Sequence, residues 1–420
     1  MDQLENPVRP YAWGSRTVIA ELLGEPVPSP HPQAEMWLGA HPANPSQLVA
    51  SDGTRVSLLA ALAEDAERML GPVRARHWGG TLPFLLKVLA ADEPLSLQAH
   101  PSLEQAREGF RREDAAGIPR DANHRNYRDA NHKPELICAL TEFHALVGFR
   151  DPAETVRLLR ALDVPELAGH TELLAAEPGP DGLRALFTTW ITLPQSVLDG
   201  LVPALQTGCV RLAGGGGPGG GEFRTEARTV LELSERYPGD AGVLAALLLN
   251  RVTLAPGEAV HLPAGNLHAY LSGAGVELMA NSDNVLRGGL TPKHMDLPEL
   301  LRVLDFRAGP PPVSAGRPDD GWVRYDTPFE EFRLRRWDAS AEADTDATPD
   351  HVTPDHVTVP DGGPRILLCT AGAALVRGGD GELKVSRGMS LWLAASDTDV
   401  TVHDAAVGTQ LFLAGDGLDP

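Results

Sequence analysis

In Val252-Thr-Leu254-Ala-Pro-Gly257-Glu-Ala-Val260-His-Leu262-Pro-Ala-Gly265-Asn-Leu-His268, apolar residues alternate on both sides of Pro256-Gly257, and Pro263-Ala-Gly265 closes the unit. Alternation of this kind predicts two short half-buried strands joined through a glycine turn. The pattern returns near the end of the chain: Leu383 and Val385 precede Gly388, then Leu391 and Leu393 precede Ala394-Ala395-Ser396. The glycines align, and the flanking apolar residues keep the same offsets. A strand, glycine turn, strand unit is what a small antiparallel jelly-roll barrel repeats, so two related barrels are expected. They differ in chemistry, because the first unit runs on into His268 and the second has Asp399 at that offset.

Working outward, the first 150 residues alternate short apolar runs with turn residues. Leu82–Leu89 and Leu136–Leu140, each bounded by proline, predict buried strands, and Ser57–Leu70 and Ser102–Arg112 predict helices. From Asp151 the pattern becomes helical: Asp151 is a candidate N-cap, Pro152 suits the first turn, and Val156, Leu158, Leu159 and Leu162 follow at helical spacing. Helical periods continue over Leu183–Ile191, Ser196–Leu205 and Thr225–Arg236. The glycines of Gly214–Gly221 follow a helical stretch and have no lysine nearby, so a flexible helix connection is expected rather than a phosphate loop. Ala343–Asp361, with its tandem Thr-Pro-Asp-His-Val, predicts an acidic surface loop.

Composition narrows the function. The chain has 420 residues, 42% apolar and 22% charged, with a formal charge of −21. So acidic a surface argues against nucleic-acid or anionic-membrane partners, whose phosphates need a basic face. No apolar run approaches a membrane span, and no signal-peptide core opens the chain. Cys138, Cys209 and Cys369 are far apart and odd in number, which fits a reducing, cytoplasmic setting better than a disulfide framework.

Gln98 and His100 stand two residues apart in an extended stretch, and so share a face. Glu135 opens a strand after His132-Lys133-Pro134, and His268 follows the barrel turn. Two imidazoles, a carboxylate and an amide oxygen would hold a divalent ion at a net charge of about +1, with positions open to substrate oxygens. Spacing alone does not join residues so far apart.

A family resemblance does join them. Tyr11-Ala-Trp-Gly-Ser15, Ala34-Glu-Met-Trp-Leu-Gly-Ala-His-Pro42, Leu82-Pro-Phe-Leu-Leu-Lys-Val-Leu89, Leu95-Ser-Leu-Gln-Ala-His-Pro101, Asn131-His-Lys-Pro-Glu135, Pro263–Gly273 and Asn281–Lys293 closely resemble, in order, the type I phosphomannose isomerases. The resemblance runs from Tyr11 to about Phe306. It implies one zinc ion per chain on Gln98, His100, Glu135 and His268. It also implies a zinc-bearing cupin-like region over residues 1–150 and 251–310, an inserted helical domain over 151–250, and a second, metal-free cupin over 311–420. The expected fold is thus mainly β with an α-helical insertion.

The implied reaction moves a proton between C1 and C2 of an open-chain phosphosugar through an enediol. The difficulty is the negative charge that builds on the carbonyl oxygen, which a cation relieves. Arg287 corresponds to the residue treated as catalytic in the family and, always charged, suits enediolate or phosphate better than proton abstraction. Lys87, Lys133, Glu277 and Asp283 are the candidate proton carriers. A lysine beside a divalent cation can have its pKa lowered into the range of a base, and Glu277 is expected to face the cavity from a strand paired across Ser272-Gly-Ala-Gly275. Ser96, Tyr270 and Lys293 are expected to bind substrate, a small phosphosugar, in a monomer. An isomerase of another or an unphosphorylated aldose, a sugar-sensing cupin and a cupin oxygenase are the alternatives; the glutamine ligand disfavours the last. Only Lys87, Lys133, Lys293 and Lys384 are lysines, and three of the four stand in these motifs.

Overall fold

A computed structural model describes residues 1–50, 52–216, 221–339, 356–379 and 381–419. The chain is mainly β with helices, and the strands among the described residues form sheets of eleven, nine and four strands. Both repeat units fold as their alternation predicts. Leu249–Leu254 and Ala259–Leu262 flank Gly257 at φ 89°, and Gly381–Ser386 and Ser390–Leu393 flank Gly388 at φ 86°. Each turn needs a left-handed residue, which glycine supplies without a Cβ penalty. The pairings among the described residues close no barrel.

The eleven-stranded sheet turns on one long strand, His268–Ala280. Its first residues pair with Phe143–Phe149 and with Gln98; from Gly273 onward it pairs with Phe84–Ala91 and Glu135–Ala139. The turn expected at Ser272–Gly275 is therefore not a turn, and Glu277 shares a strand with His268. The register slips between Tyr270 and Ser272. Gly273 lies at φ 112°, where a Cβ would stand 2.5 Å from Glu142 O, so the strand bends at a residue without a side chain.

The predicted strand at Leu82–Leu89 forms as Phe84–Ala91, and that at Leu136–Leu140 as Glu135–Ala139. Asp151 caps Pro152–Leu162 by accepting from Ala153 and Glu154 N–H, and Ser102 with Gln105 forms a capping box on Leu103–Ala115. The helix expected over Ser57–Leu70 is two helices, Leu58–Glu64 and Ala66–Leu70. Asp65 leaves helical geometry and caps the second by accepting from Arg68 N–H. Gly214–Gly216 and Gly221 lie between the helices Gln195–Ala213 and Arg224–Arg236; residues 217–220 lie outside the described residues. So do residues 343–355 of the expected acidic loop, whose later part is not all loop, because His356–Thr358 is a strand paired with Thr401–His403.

Packing ties the helices to the sheet. Leu158, Phe187, Trp190 and Leu205 of the helices share one apolar cluster with Leu97, Leu146, Ala269 and Leu286 of the sheet. The strands that carry Gln98, His268 and Arg287 are thus buttressed from behind, because a close-packed interior transmits displacement. The nine-stranded sheet runs across the ends of the chain, pairing Asp2–Glu5 with Ser390–Leu393 on one side and with Gln47–Val49 on the other. No helix among the described residues is long and apolar enough to cross a membrane.

Candidate metal centre

Strand register assembles the site. Gln98 is paired with His268 on one side and with Arg287 on the other. Residues directly opposite in a sheet share a face, so this row presents an amide, an imidazole and a guanidinium together. Farther along the long strand, Glu277 is paired with Lys87, and Lys87 with Trp37. Glu135 lies opposite Met279, two residues on from Glu277. The bent strand and its neighbours therefore gather Gln98, His268, Arg287, Glu277, Lys87 and Glu135.

His100, Glu135 and His268 converge, with one donor atom from each lying within 4.8 Å of the others. His100 Nε2 is 3.4 Å from Glu135 Oε1, and His268 Nε2 is 3.4 Å from Glu135 Oε2. The ring orientations are set from behind. His100 Nδ1 lies 2.7 Å from Asn284 O, and His268 Nδ1 lies 3.0 Å from Asn266 O. A carbonyl only accepts, so both Nδ1 atoms carry the proton and both Nε2 atoms present lone pairs to the centre. Burial, reinforced by the Lys133 ammonium, pushes the His100 pKa down to about 4 and keeps that ring neutral. Burial raises the Glu135 pKa, but Lys133 and His100 overcome this and hold it well below the usual carboxylate range. Lys133 Nζ stands 2.7 Å from Glu135 Oε1. His100 Nε2, His268 Nε2 and Glu135 Oε2 are buried without a hydrogen-bond partner. Leaving such groups unpaired is costly, and a divalent cation satisfies all three at once, so the donor set fits a metal.

Next to this centre lies a buried charge cluster. Lys87 Nζ is 2.9 Å from Glu277 Oε2 and 3.5 Å from Glu35 Oε1, and Glu35 Oε2 accepts from Trp37 Nε1 at 2.8 Å. Burial favours a neutral lysine, yet the attraction of Glu277, Glu35 and Glu135 prevails and raises the Lys87 pKa above its ordinary value. These carboxylates hold Lys87 as an ammonium. Glu277 moves the other way, raised by burial against the opposing pull of Lys87. The Tyr270 hydroxyl is buried with no hydrogen-bond partner, and burial, with Glu277 and Glu135 nearby, raises its pKa.

Arg287 is half-buried and its pKa is lowered by burial and then by Arg128; Lys293 is lowered by burial, Arg287 and Arg128. These three cations therefore lie within electrostatic reach of one another. None has an ion-pair partner among the described residues, unlike most arginines of the chain. Asp283 makes no ion pair with a lysine among the described residues: its Oδ1 is 3.4 Å from His41 Nε2, and its carboxyl is kept acidic first by that hydrogen bond, with Lys133 and Arg128 adding to it. Ser96 is half-buried just before the strand Leu97–Ala99, and its side chain makes no hydrogen bond among the described residues.

Four residues of the site went unread in the sequence: Glu35, His41, Arg128 and Asn284. Glu35 and His41 do stand in a quoted motif, and Glu35 and Trp37 alternate to one face, which is the signal that was available. Asn284 is fully buried. It accepts from the N–H of Arg128 and Asp129 and donates to the carbonyls of Asp129 and Asn131, while its own carbonyl holds His100. An asparagine in a loop carries no mark of such a role.

A family model described as phosphomannose isomerase type I, catalytic domain, matches residues 1–152. Over 410 residues the chain is 38% identical to the mannose-6-phosphate isomerase of Escherichia coli (strain K12), covering 96% of this chain and 97% of that protein. It is 34% identical over 436 residues to mannose-6-phosphate isomerase 2 of Arabidopsis thaliana, covering 97% and 92% of the two chains. A zinc-bound crystal structure of mannose 6-phosphate isomerase is similar with a TM-score of 0.86 at 34% identity, over 99% of both chains.

Proposed function

The chain belongs to the type I phosphomannose isomerases, and from that membership we propose that it interconverts mannose 6-phosphate and fructose 6-phosphate at one zinc ion held by Gln98, His100, Glu135 and His268. The observation that carries this reading is the buried His–Glu–His group with its unpartnered Nε2 atoms. Zinc bound there supplies Lewis acidity to the substrate oxygens where enediolate charge develops.

The protein's own groups do the rest. Arg287, Lys293 and Arg128, free of carboxylate partners among the described residues, bind the phosphate, and Arg287 is placed to share the enediolate charge as well. Glu277 carries the proton between C2 and C1. Its pKa is raised by burial toward the working range, which suits a carboxylate that must both take a proton and return it. Lys87 keeps Glu277 and Glu35 from repelling each other and stays charged throughout. Tyr270 donates to a substrate hydroxyl, with Ser96 beside the entry of the same strand pair. Lys133 orients Glu135, and Asp283 with His41 guards the mouth of the site.

We read the architecture as a cupin-like catalytic region, residues 1–150 with 251–310, a helical insertion over 151–250 and a cupin-like C-terminal region over 311–420. The twin strand units support it. We read the protein as a monomer, and the three buried free thiols suit a reducing cytoplasm.

The test is conversion of mannose 6-phosphate by zinc-loaded protein, with free mannose as the control and a chelator arm. Fructose 6-phosphate that disappears with chelator is the expected result. Turnover of free mannose alone would transfer the reading to an unphosphorylated aldose, and sugar binding without turnover would make the protein a sensor.

A further inference from the structure

The C-terminal region reaches back to the metal-ligand segment through a charged side chain. His132, in Asn131-His-Lys-Pro-Glu135, is hydrogen-bonded through Nε2 to Glu331 Oε1, 199 residues away in sequence, with side chains only 19% and 14% exposed. Glu331 lies in the connection between Trp322–Tyr325 and Arg333–Asp338 of the nine-stranded sheet. Its neighbours in that connection touch other places: Phe329 meets His261 edge-on and Glu330 faces His77. The N-terminal end of the ligand segment is fixed separately, by Ser282 and Asn284 side chains donating to Asn131 O.

We infer that Glu331 is a positioning residue for the zinc site: by fixing His132 it sets where Lys133 and Glu135 stand. The segment is built to transmit such a constraint. A residue before proline is confined to extended backbone, and proline holds its own φ. Lys133-Pro134 is therefore a stiff link between His132 and Glu135, with little freedom to absorb a shift. Glu135 must sit between two imidazoles at once, and outer partners that orient metal ligands typically govern affinity or activity by about 10- to 100-fold. A region that carries no ligand of its own thereby contributes to the centre. The inference rests on the reading of His100, Glu135 and His268 as the zinc site.

The experiment compares zinc-loaded wild type, Glu331→Ala, Glu331→Gln and Glu330→Ala for kcat and KM with mannose 6-phosphate, zinc release to excess chelator, and thermal midpoint. Glu331→Ala is expected to lower kcat and speed zinc release about ten-fold, with KM within about two-fold. Glu331→Gln keeps an oxygen that accepts from His132 Nε2–H and is expected to restore both to within about three-fold, while Glu330→Ala behaves as wild type. Wild-type kcat and zinc retention in Glu331→Ala would overturn the inference. So would losses that Glu331→Gln does not rescue, or that follow the thermal midpoint equally in Glu330→Ala. Should the alanine variant not fold, Glu331→Asp, whose arm is too short to reach, takes its place under the same two outcomes. Wild type that takes up no zinc would overturn the metal-site reading and this inference with it.

Discussion

Lys87 holds one positive charge between two buried carboxylates, and what happens when it is removed separates pairing from proton transfer. Lys87→Met leaves Glu277 and Glu35 in the interior without their cation, and breaking a buried pair from one side costs about 3–5 kcal/mol. Urea denaturation of the variant is expected to report a loss of that size. Adding Glu277→Gln should return at least about 1 kcal/mol, because the two residues are directly coupled; a double variant no more stable than the single one would refute the pairing. Asn284 makes a second case. Asn284→Ala removes the acceptor of the Arg128 and Asp129 N–H groups and a donor to the carbonyls of Asp129 and Asn131, of which Asn131 keeps Ser282, so a loss of about 2–3 kcal/mol is expected. Zinc affinity should fall about ten-fold with it, as measured by competition with a chelating dye. Both residues illustrate what sequence conveys at this scale. Lys87 and Glu277 stand in recognisable motifs, but their meeting depends on strand register across 190 residues. The role of Asn284 arises only from a loop folding back on a distant loop.

At the level of elements, period-2 alternation and proline boundaries located the strands of the site to within two residues, because a strand buried on one or both faces must show its burial in composition. Breaks were harder to see. Asp65 interrupts an otherwise helical apolar spacing by capping the next helix, and Gly273 bends a strand where a turn was expected, since glycine permits either. The two unit glycines allow a sharper test. Gly257 and Gly388 have nearly the same positive φ, yet a Cβ on Gly257 meets the flexible end of Arg336, at 1.9 Å, whereas one on Gly388 meets the backbone carbonyl of Leu22 at 2.4 Å. A guanidinium can swing aside and a helix carbonyl cannot. Each alanine substitution carries a backbone strain of about 1 kcal/mol, and Gly388→Ala should cost at least about 1 kcal/mol more than Gly257→Ala in thermal or urea unfolding. Equal costs would mean that the Leu22 helix yields as readily as a side chain.

Across the whole molecule, the three cysteines fall one to a cluster: Cys209 in the helical cluster, Cys138 in the cluster under the catalytic sheet, and Cys369 in the C-terminal one. Burial pushes their thiols up to about 12, 11 and 11 respectively. An unfolded thiol loses its proton near pH 8.5, so between that pH and about 11 the folded chain holds more protons than the unfolded one, and these groups make stability fall as pH rises through that window. At neutral pH the same thiols are protonated and enclosed, and thus inert until their cluster opens. Their alkylation therefore reports local opening. The strand Arg365–Ala371 turns Ile366 and Leu368 into the catalytic cluster and Leu367 and Cys369 into the C-terminal one. Neither cluster can open while that strand stays in place, so Cys138 and Cys369 are expected to become reactive at the same urea concentration. Cys209 sits among helices whose contacts are mostly with neighbouring helices, and should become reactive at a lower one. Mass spectrometry after pulsed alkylation distinguishes the three peptides. Separate midpoints for Cys138 and Cys369 would show that the two sheets open independently, and would remove the mechanical continuity on which any influence of the C-terminal strands over the metal centre depends.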